Sequence, residues 1–289
     1  MKKTNIWAWL YITPTLLILA FYLVYPTVNT LFLSFLDKKS KSFVGLSNYI
    51  FAFTNKGMLL AFRNNLIWLV VFTAFTVSLG LILAILLDRV KYESVAKSII
   101  FLPMAISFVG AGVIWKFIYA YRPAGSPQIG ILNAVLSKTF NLEPVGWLIN
   151  KTVNNFALIF AGVWIWVGFC MVILSASYKG IPKELLEASR VDGANELQVF
   201  WRIILPVMKP TIAVVTTTMI INVLKVFDIV YVMTNGEFGT EVVANRMFKE
   251  MFHFKNFGHA SAIAVILLVA IIPIMIVNIR RFREQEAIR

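Results

Sequence analysis

Long apolar runs alternate with short polar ones along this chain, and the runs are too long and too continuous for the core of a soluble domain. Six of them, at residues 7–35, 65–87, 98–121, 155–178, 211–234 and 259–279, are long enough to cross a hydrocarbon layer of roughly 30 Å at about 1.5 Å per residue. Each is expected to be a helix, because lipid offers no partner for backbone N–H and C=O groups. The pattern predicts an all-α integral membrane protein with one transmembrane domain of six helices. The first run follows Met1-Lys2-Lys3 but continues through Pro14 and Pro26 without a small-residue cleavage site, so an uncleaved first helix is expected.

The segment at residues 180–210 is the polar interruption that departs most from this pattern. Pro182 suits a first helical position, and Lys183-Glu184-Leu185-Leu186-Glu187-Ala188-Ser189 is a good helix former. Asp192-Gly193 then predicts a corner in which Gly193 takes positive φ. Asn195 with Gln198 three residues on predicts the capped start of a second helix, with Leu197, Trp201, Ile204 and Leu205 on its apolar side. Pro206 and Pro210 are expected to punctuate the return into the fifth span. The interruption reads as two short helices joined by a sharp corner. Physics alone leaves two settings open, a rigid lever that receives a partner or a helix lying on lipid headgroups.

Composition agrees with the pattern: 59% of the 289 residues are hydrophobic, 14% are charged and mean hydropathy is +0.79. A net charge of +13 would suggest nucleic acid in a soluble protein. Here the basic residues lie almost wholly between the runs, at higher density in the segments that an inside N-terminus makes cytoplasmic, so orientation and lipid contact account for them. An N-in, C-in arrangement follows, with Lys38, Lys39 and Lys41 against it. The single Cys170 excludes a disulfide framework, and His253 and His259 lack metal-site spacing, so no metal is expected. No GxxxxGK[ST] or GxSxG occurs, so the chain has no ATP cradle and no nucleophile elbow.

The connections add candidate contacts. The aromatic segment at residues 43–49 suits an outer interface, a short helix is expected at residues 131–140, and residues 242–252 have helical spacing with Val243, Met247 and Met251. These outer segments either receive a docking protein or cap the bundle.

Glu187-Ala188-Ser189, three residues, Gly193, nine residues, Ile203-Ile204-Leu205-Pro206 resembles the EAA motif, EAA-x3-G-x9-I-x-L-P, of permease subunits in binding-protein-dependent ABC importers. Ser189 stands where the pattern has Ala, a small-for-small change. Residues 43–49, Phe101-Leu102-Pro103, Asp192-Gly193-Ala194 and Thr234-Asn235-Gly236 are similar to the carbohydrate branch, and residues 101–123 and 225–247 to permeases for α-glucosides and glucosylglycerol.

The resemblance implies a type I ABC importer permease in a bacterial or archaeal inner membrane. It implies a second permease subunit, two ATPase subunits that hold ATP and Mg, and an extracytoplasmic solute-binding protein; no cofactor is implied in this chain. The segment at 180–210 would be the coupling helix, with Glu187 contacting the ATPase, Ala188 and Ser189 packing closely, Gly193 forming the corner, Asp192 capping or bracing it, and Leu205 and Pro206 closing the motif. A glycerol-phosphate or other carbohydrate importer is the alternative within this architecture. An ion-coupled secondary transporter is the alternative from another class, disfavoured because Asp228 is the one acidic residue within a span.

For the substrate path, polar and aromatic residues inside the fourth and fifth spans are the guide. Asn222, Lys225 and Asp228 are three apart and so near one helix face, and an Asn amide both donates to and accepts from hydroxyls. Lys225 and Asp228 either pair with each other or line the cavity. Trp164, Trp166 and Phe169 offer flat faces for a sugar. Lys116 is expected to snorkel to the interface.

Overall fold

The structure is a computed structural model that describes residues 6–287, with side chains from 9 to 279. Lys2, Lys3 and Arg289, and the side chains of Arg280, Arg281 and Arg283, on which the inside placement of both termini leaned, lie outside the described residues. The described residues are helical throughout apart from turns and one isolated bridge, Leu36 to Phe43. The helices are α1 (Trp9–Leu33), α2 (Ser47–Thr54), α3 (Lys56–Leu87), α4 (Glu93–Ala105), α5 (Phe108–Ile118), α6 (Ile131–Thr139), α7 (Asn154–Lys179), α8 (Lys183–Val191), α9 (Glu196–Leu224), α10 (Asp228–Met233), α11 (Val243–Phe248) and α12 (Phe257–Ala287).

The chain divides into two compact units, one of residues 1–59 with 246–269 and one of residues 60–245 with 270–289. In the first unit α1 buries none of its apolar surface, as expected of a helix whose solvent is lipid or another chain. The segment after it turns inward. Asn48 is buried and donates to the carbonyls of Ser34 (2.8 Å) and Leu36 (2.7 Å), and the Tyr49 hydroxyl meets that of Ser34 at 2.6 Å. Glu250 is also buried there, bound by Arg246 at 2.6 Å and near His259 Nδ1 at 3.3 Å. Burial pushes its carboxyl up, but the hydrogen bonds from His259 and Arg246 outweigh burial and hold it below the usual carboxylate range.

The second unit is organised around α7, 61% of whose most apolar window is buried. Two glycines let backbones approach it. A Cβ on Gly80 of α3 would sit 2.6 Å from Cys170 Cβ, and one on Gly168 would sit 2.5 Å from the Ile100 carbonyl oxygen of α4. Cys170 is thus a buried packing residue. Trp68, Leu158, Ile165, Met171, Leu174, Met208 and Met219 fill the space between α3, α7 and α9.

Two spans depart from the continuous helices expected. The third breaks into α4 and α5, bent by 100°. Its last turn at Leu102–Ala105 tightens around Pro103, Ile106 and Ser107 are extended (ψ 141° and 145°), and the Ser107 hydroxyl caps the new helix by accepting from Gly110 N–H at 3.0 Å. The fifth stops at Leu224, and α10 starts only after the non-helical Lys225 and Phe227. Conversely, Pro206 and Pro210 do not punctuate the approach to it, because α9 runs through both. A wide turn at Phe200–Ile204, with Leu205 N–H bonded to the Phe200 carbonyl five residues back, shifts the hydrogen-bond ladder just before Pro206. Lys116 is exposed, and its ammonium donates to the Val232 carbonyl at 3.4 Å.

Buried asparagines hold the loop after α10. Asn64 Nδ2 donates to the carbonyls of Gly239 and Glu241, both at 2.8 Å, Asn65 accepts from Val243 N–H at 2.9 Å, and Asn154 donates to the Phe238 carbonyl at 2.9 Å. Buried backbone groups of a loop need such partners, and Asn64 and Asn65 supply them from the third turn of α3 and Asn154 from the first turn of α7.

Candidate functional site

The corner at residues 180–210 is built by local chemistry. Pro182 stands just before α8 in an extended conformation (ψ 128°), so it caps the helix instead of opening it. At the far end Gly193 takes φ +84°, its N–H bonds to the Arg190 carbonyl at 3.1 Å and Ala194 N–H to the Ser189 carbonyl at 3.0 Å. Those two bonds satisfy the last carbonyls of α8 and turn the chain, and a residue with a Cβ adopts that left-handed geometry at a cost. Asn195 and Gln198 then form the reciprocal capping box, both bonds 2.9 Å. Asp192 does not brace the corner: the backbone does so, and among the described residues its carboxylate has no recorded partner.

The apolar side of the second helix differs from the one expected. Val199, Ile204 and Met208 are buried, whereas Leu197 and Trp201 are exposed and Leu205 is half-buried. The wide turn puts residues five apart, Val199 and Ile204, on the same side, which a 3.6-residue period does not predict. Glu187, Ala188 and Pro206 are exposed, Ser189 is half-buried with its hydroxyl bonded to the Leu186 carbonyl at 2.7 Å, and Val191 is 87% exposed. With Leu185 and Leu197 also exposed, the corner presents apolar side chains around the exposed Glu187.

Glu196, which sequence reasoning passed over, ties this corner down. One carboxylate oxygen meets Arg190 Nε at 2.9 Å and the other meets an Arg89 guanidinium nitrogen at 2.6 Å. A companion cluster joins Glu93 to Lys179 at 2.7 Å and to Lys97, which also reaches the Ser175 hydroxyl.

The two helix breaks meet in a pocket of about 100 Å³ lined by Phe108, Trp166, Asn222, Lys225, Val226, Phe227, Asp228 and Ile229. A smaller space of about 40 Å³ shares Trp166, Asn222, Val226 and Ile229 with it and continues to Trp68 and Phe72. The break at residues 225–227, not a continuous helix face, is what brings Asn222, Lys225 and Asp228 together. No ion pair between Lys225 and Asp228 is recorded among the described residues. Asn222 Nδ2 donates to the Thr218 carbonyl at 3.1 Å, which leaves its carbonyl oxygen and a second N–H for a ligand. Phe108 stacks on Trp166 with centroids 5.8 Å apart and planes at 22°, and Phe169 meets Trp166 edge-on at 5.6 Å. Trp164 does not belong here. It packs against Trp115 at 5.7 Å, since residues two apart on a helix point about 200° from each other. Phe108 was missed because it sat inside an expected span. The Ser107 cap ahead of it was the available signal.

A helical membrane unit with two broken spans around a small pocket of mixed lining, and an exposed two-helix corner between α7 and α9, has the architecture of a transport permease. The profile of binding-protein-dependent transport system inner membrane components matches residues 76–283, and the chain belongs to that family. It is a multi-pass permease subunit of an ABC importer, so the ion-coupled alternative falls away. The chain is 62% identical to the osmoprotective compounds uptake permease protein GgtC of Synechocystis sp., over 97% of this chain and all of that one. It is 50% identical to the alpha-glucoside transport system permease protein AglF of Rhizobium meliloti, over 96% of this chain and 83% of that one. The same fold is found in a bacterial ABC transporter that imports the acidic polysaccharide alginate, with a TM-score of 0.83 at 22% identity over 97% of this chain and 96% of that one.

Proposed function

We propose that this permease moves an uncharged α-glucoside-like sugar, or a glucosylated osmoprotectant such as glucosylglycerol, into the cytoplasm. The pocket carries the reading: the Phe108–Trp166 stack offers a flat apolar face, and Asn222, Lys225 and Asp228 offer donors and acceptors beside it. Of the two relatives, AglF is named for α-glucosides and GgtC for osmoprotective compounds, which supports the two substrate classes proposed. A glycerol phosphate would meet Lys225 but also Asp228 in the same wall, which disfavours an anion.

The remaining parts of the machine are inferred. Ligand pockets for molecules of drug size usually hold about 300–1,000 Å³, so a pocket of about 100 Å³ fits one wall of a cavity whose other wall is a second permease. Of two ATPase subunits holding ATP and Mg, one docks at the 180–210 corner of this chain, through Glu187, Ala188, Ser189, Gly193 and the exposed Leu185 and Val191, and the other serves the second permease. With the termini inside, an extracytoplasmic binding protein delivers the sugar to the opposite face. ATP-driven closure of the ATPase pair moves the corner, and the bundles rock between two states that hold the sugar with different affinity.

Asn222→Ala is expected to raise the half-saturating sugar concentration for transport about threefold to tenfold, the worth of a hydrogen bond to a neutral hydroxyl. Unchanged half-saturation and maximal rate in proteoliposomes would remove Asn222 from the site.

A further inference from the structure

We infer that the loop at residues 88–93 is a strut of the coupling corner, with Arg89 and Glu196 as its positioning residues. The inference rests on the coupling role proposed for residues 180–210. Glu196 spends its two oxygens on different segments, Arg190 at the end of α8 and Arg89 just beyond α3. Glu93, at the first turn of α4, holds Lys179, the last residue of α7. The loop therefore grips both flanks of α8, through Lys179 before it and Glu196 after it. A space of about 490 Å³ lined by Asp88, Arg89, Tyr178, Lys183, Leu186 and Arg190 separates α8 from the loop. Around that space the Arg89–Glu196–Arg190 ion pairs connect the loop to the end of α8.

From Glu93 the strut continues into the sugar pocket. α4 rises about 20 Å over its length at about 1.5 Å per residue, lies with its Ile100 carbonyl against Gly168, and turns by 100° into α5, whose first residue is Phe108. The second route from the corner is α9 itself, which ends beside Asn222. One lever thus reaches two walls of the pocket, the aromatic one through α4 and the amide one through α9. Moving both walls together changes how a sugar is held, which is what coupling requires.

The test uses the complete transporter in proteoliposomes, counting sugars imported per ATP hydrolysed, with the yield of assembled complex as control. Arg89→Gln and Glu196→Gln are each expected to lower that ratio on the order of threefold, the scale of an exposed charge pair. The double variant should lose no more than the worse single one, because both changes break one connection. Arg89→Lys, which keeps the charge, should recover most of the ratio. An unchanged ratio in both single variants, or losses that simply multiply in the double variant, overturns the strut. Glu187→Ala is measured alongside: if it uncouples while the Arg89 and Glu196 variants do not, the strut alone fails, and if it does not uncouple, the coupling role of residues 180–210 fails with it.

Discussion

Gly193→Pro, and separately Glu187→Ala, should abolish sugar-stimulated ATP hydrolysis in the assembled transporter while leaving the permease pair in the membrane. Gly193 holds φ +84°, and its N–H closes the end of α8 on the Arg190 carbonyl. Proline fixes φ near −65° and has no N–H, so it removes the bond and reverses the turn. Nothing lies within 4 Å of where a Cβ at 193 would sit, so the fault is in the backbone and not in crowding. Gly193→Ala should accordingly be milder, at about 1 kcal/mol of left-handed strain. Glu187 acts differently. It is exposed at the surface of the corner, so its removal costs the fold little and tests only what it touches in the assembly. ATPase activity that still responds fully to sugar and binding protein in either variant would refute the coupling assignment.

Gly168→Leu should prevent the permease from accumulating, or lower its thermal midpoint by roughly 5 °C, from an overpacking cost of about 1–3 kcal/mol. A Cβ there would lie 2.5 Å from the Ile100 carbonyl oxygen and 2.7 Å from the Phe101 Cα. Both are backbone atoms, which cannot swing aside as a flexible side chain does. Relief requires α4 to move off α7, and α4 carries Phe108 into the pocket. Any Gly168→Leu protein that survives should therefore also bind sugar poorly. A control change at the exposed Phe160 of the same helix, such as Phe160→Leu, should leave the thermal midpoint near that of the parent. Thermal unfolding of the purified permease pair in detergent reads the difference, and equal midpoints for Gly168→Leu and the parent would contradict the close approach.

How much could be read from the chain depended on the range of the forces involved. The corner was legible almost atom by atom, because Gly193, Asn195 and Gln198 act on backbone groups a few residues away. Asp192 was over-read for the same reason: its residue type suits a brace, but the backbone bonds had already closed the turn. Hydropathy marked the apolar runs and could not mark their breaks, since a window of some twenty residues averages across the two or three non-helical residues of each. The breaks at 106–107 and 225–227 hold because packing partners accept them, and packing is long-range. The pocket followed the same division. Trp166, Asn222, Lys225 and Asp228 were identified by type, whereas Phe108 depends on a 100° bend elsewhere in the chain. Part of the buried face of α9 was misjudged because one wide turn shifts the phase of the residues after it and sets Val199 and Ile204 on one side. Glu196 and the asparagines at 64, 65 and 154 gave no periodic signal, since their partners lie far along the chain.

The central claim is that this chain translocates a sugar only as part of an ATP-driven, binding-protein-dependent assembly. The most direct measurement is uptake of a labelled α-glucoside or glucosylglycerol into proteoliposomes, with the permease pair, ATPase subunits and binding protein present and ionophores collapsing every ion gradient. Uptake that needs lumenal ATP and external binding protein, and persists without a gradient, is the predicted result. Uptake by this chain alone, driven by an ion gradient and indifferent to ATP, would contradict it.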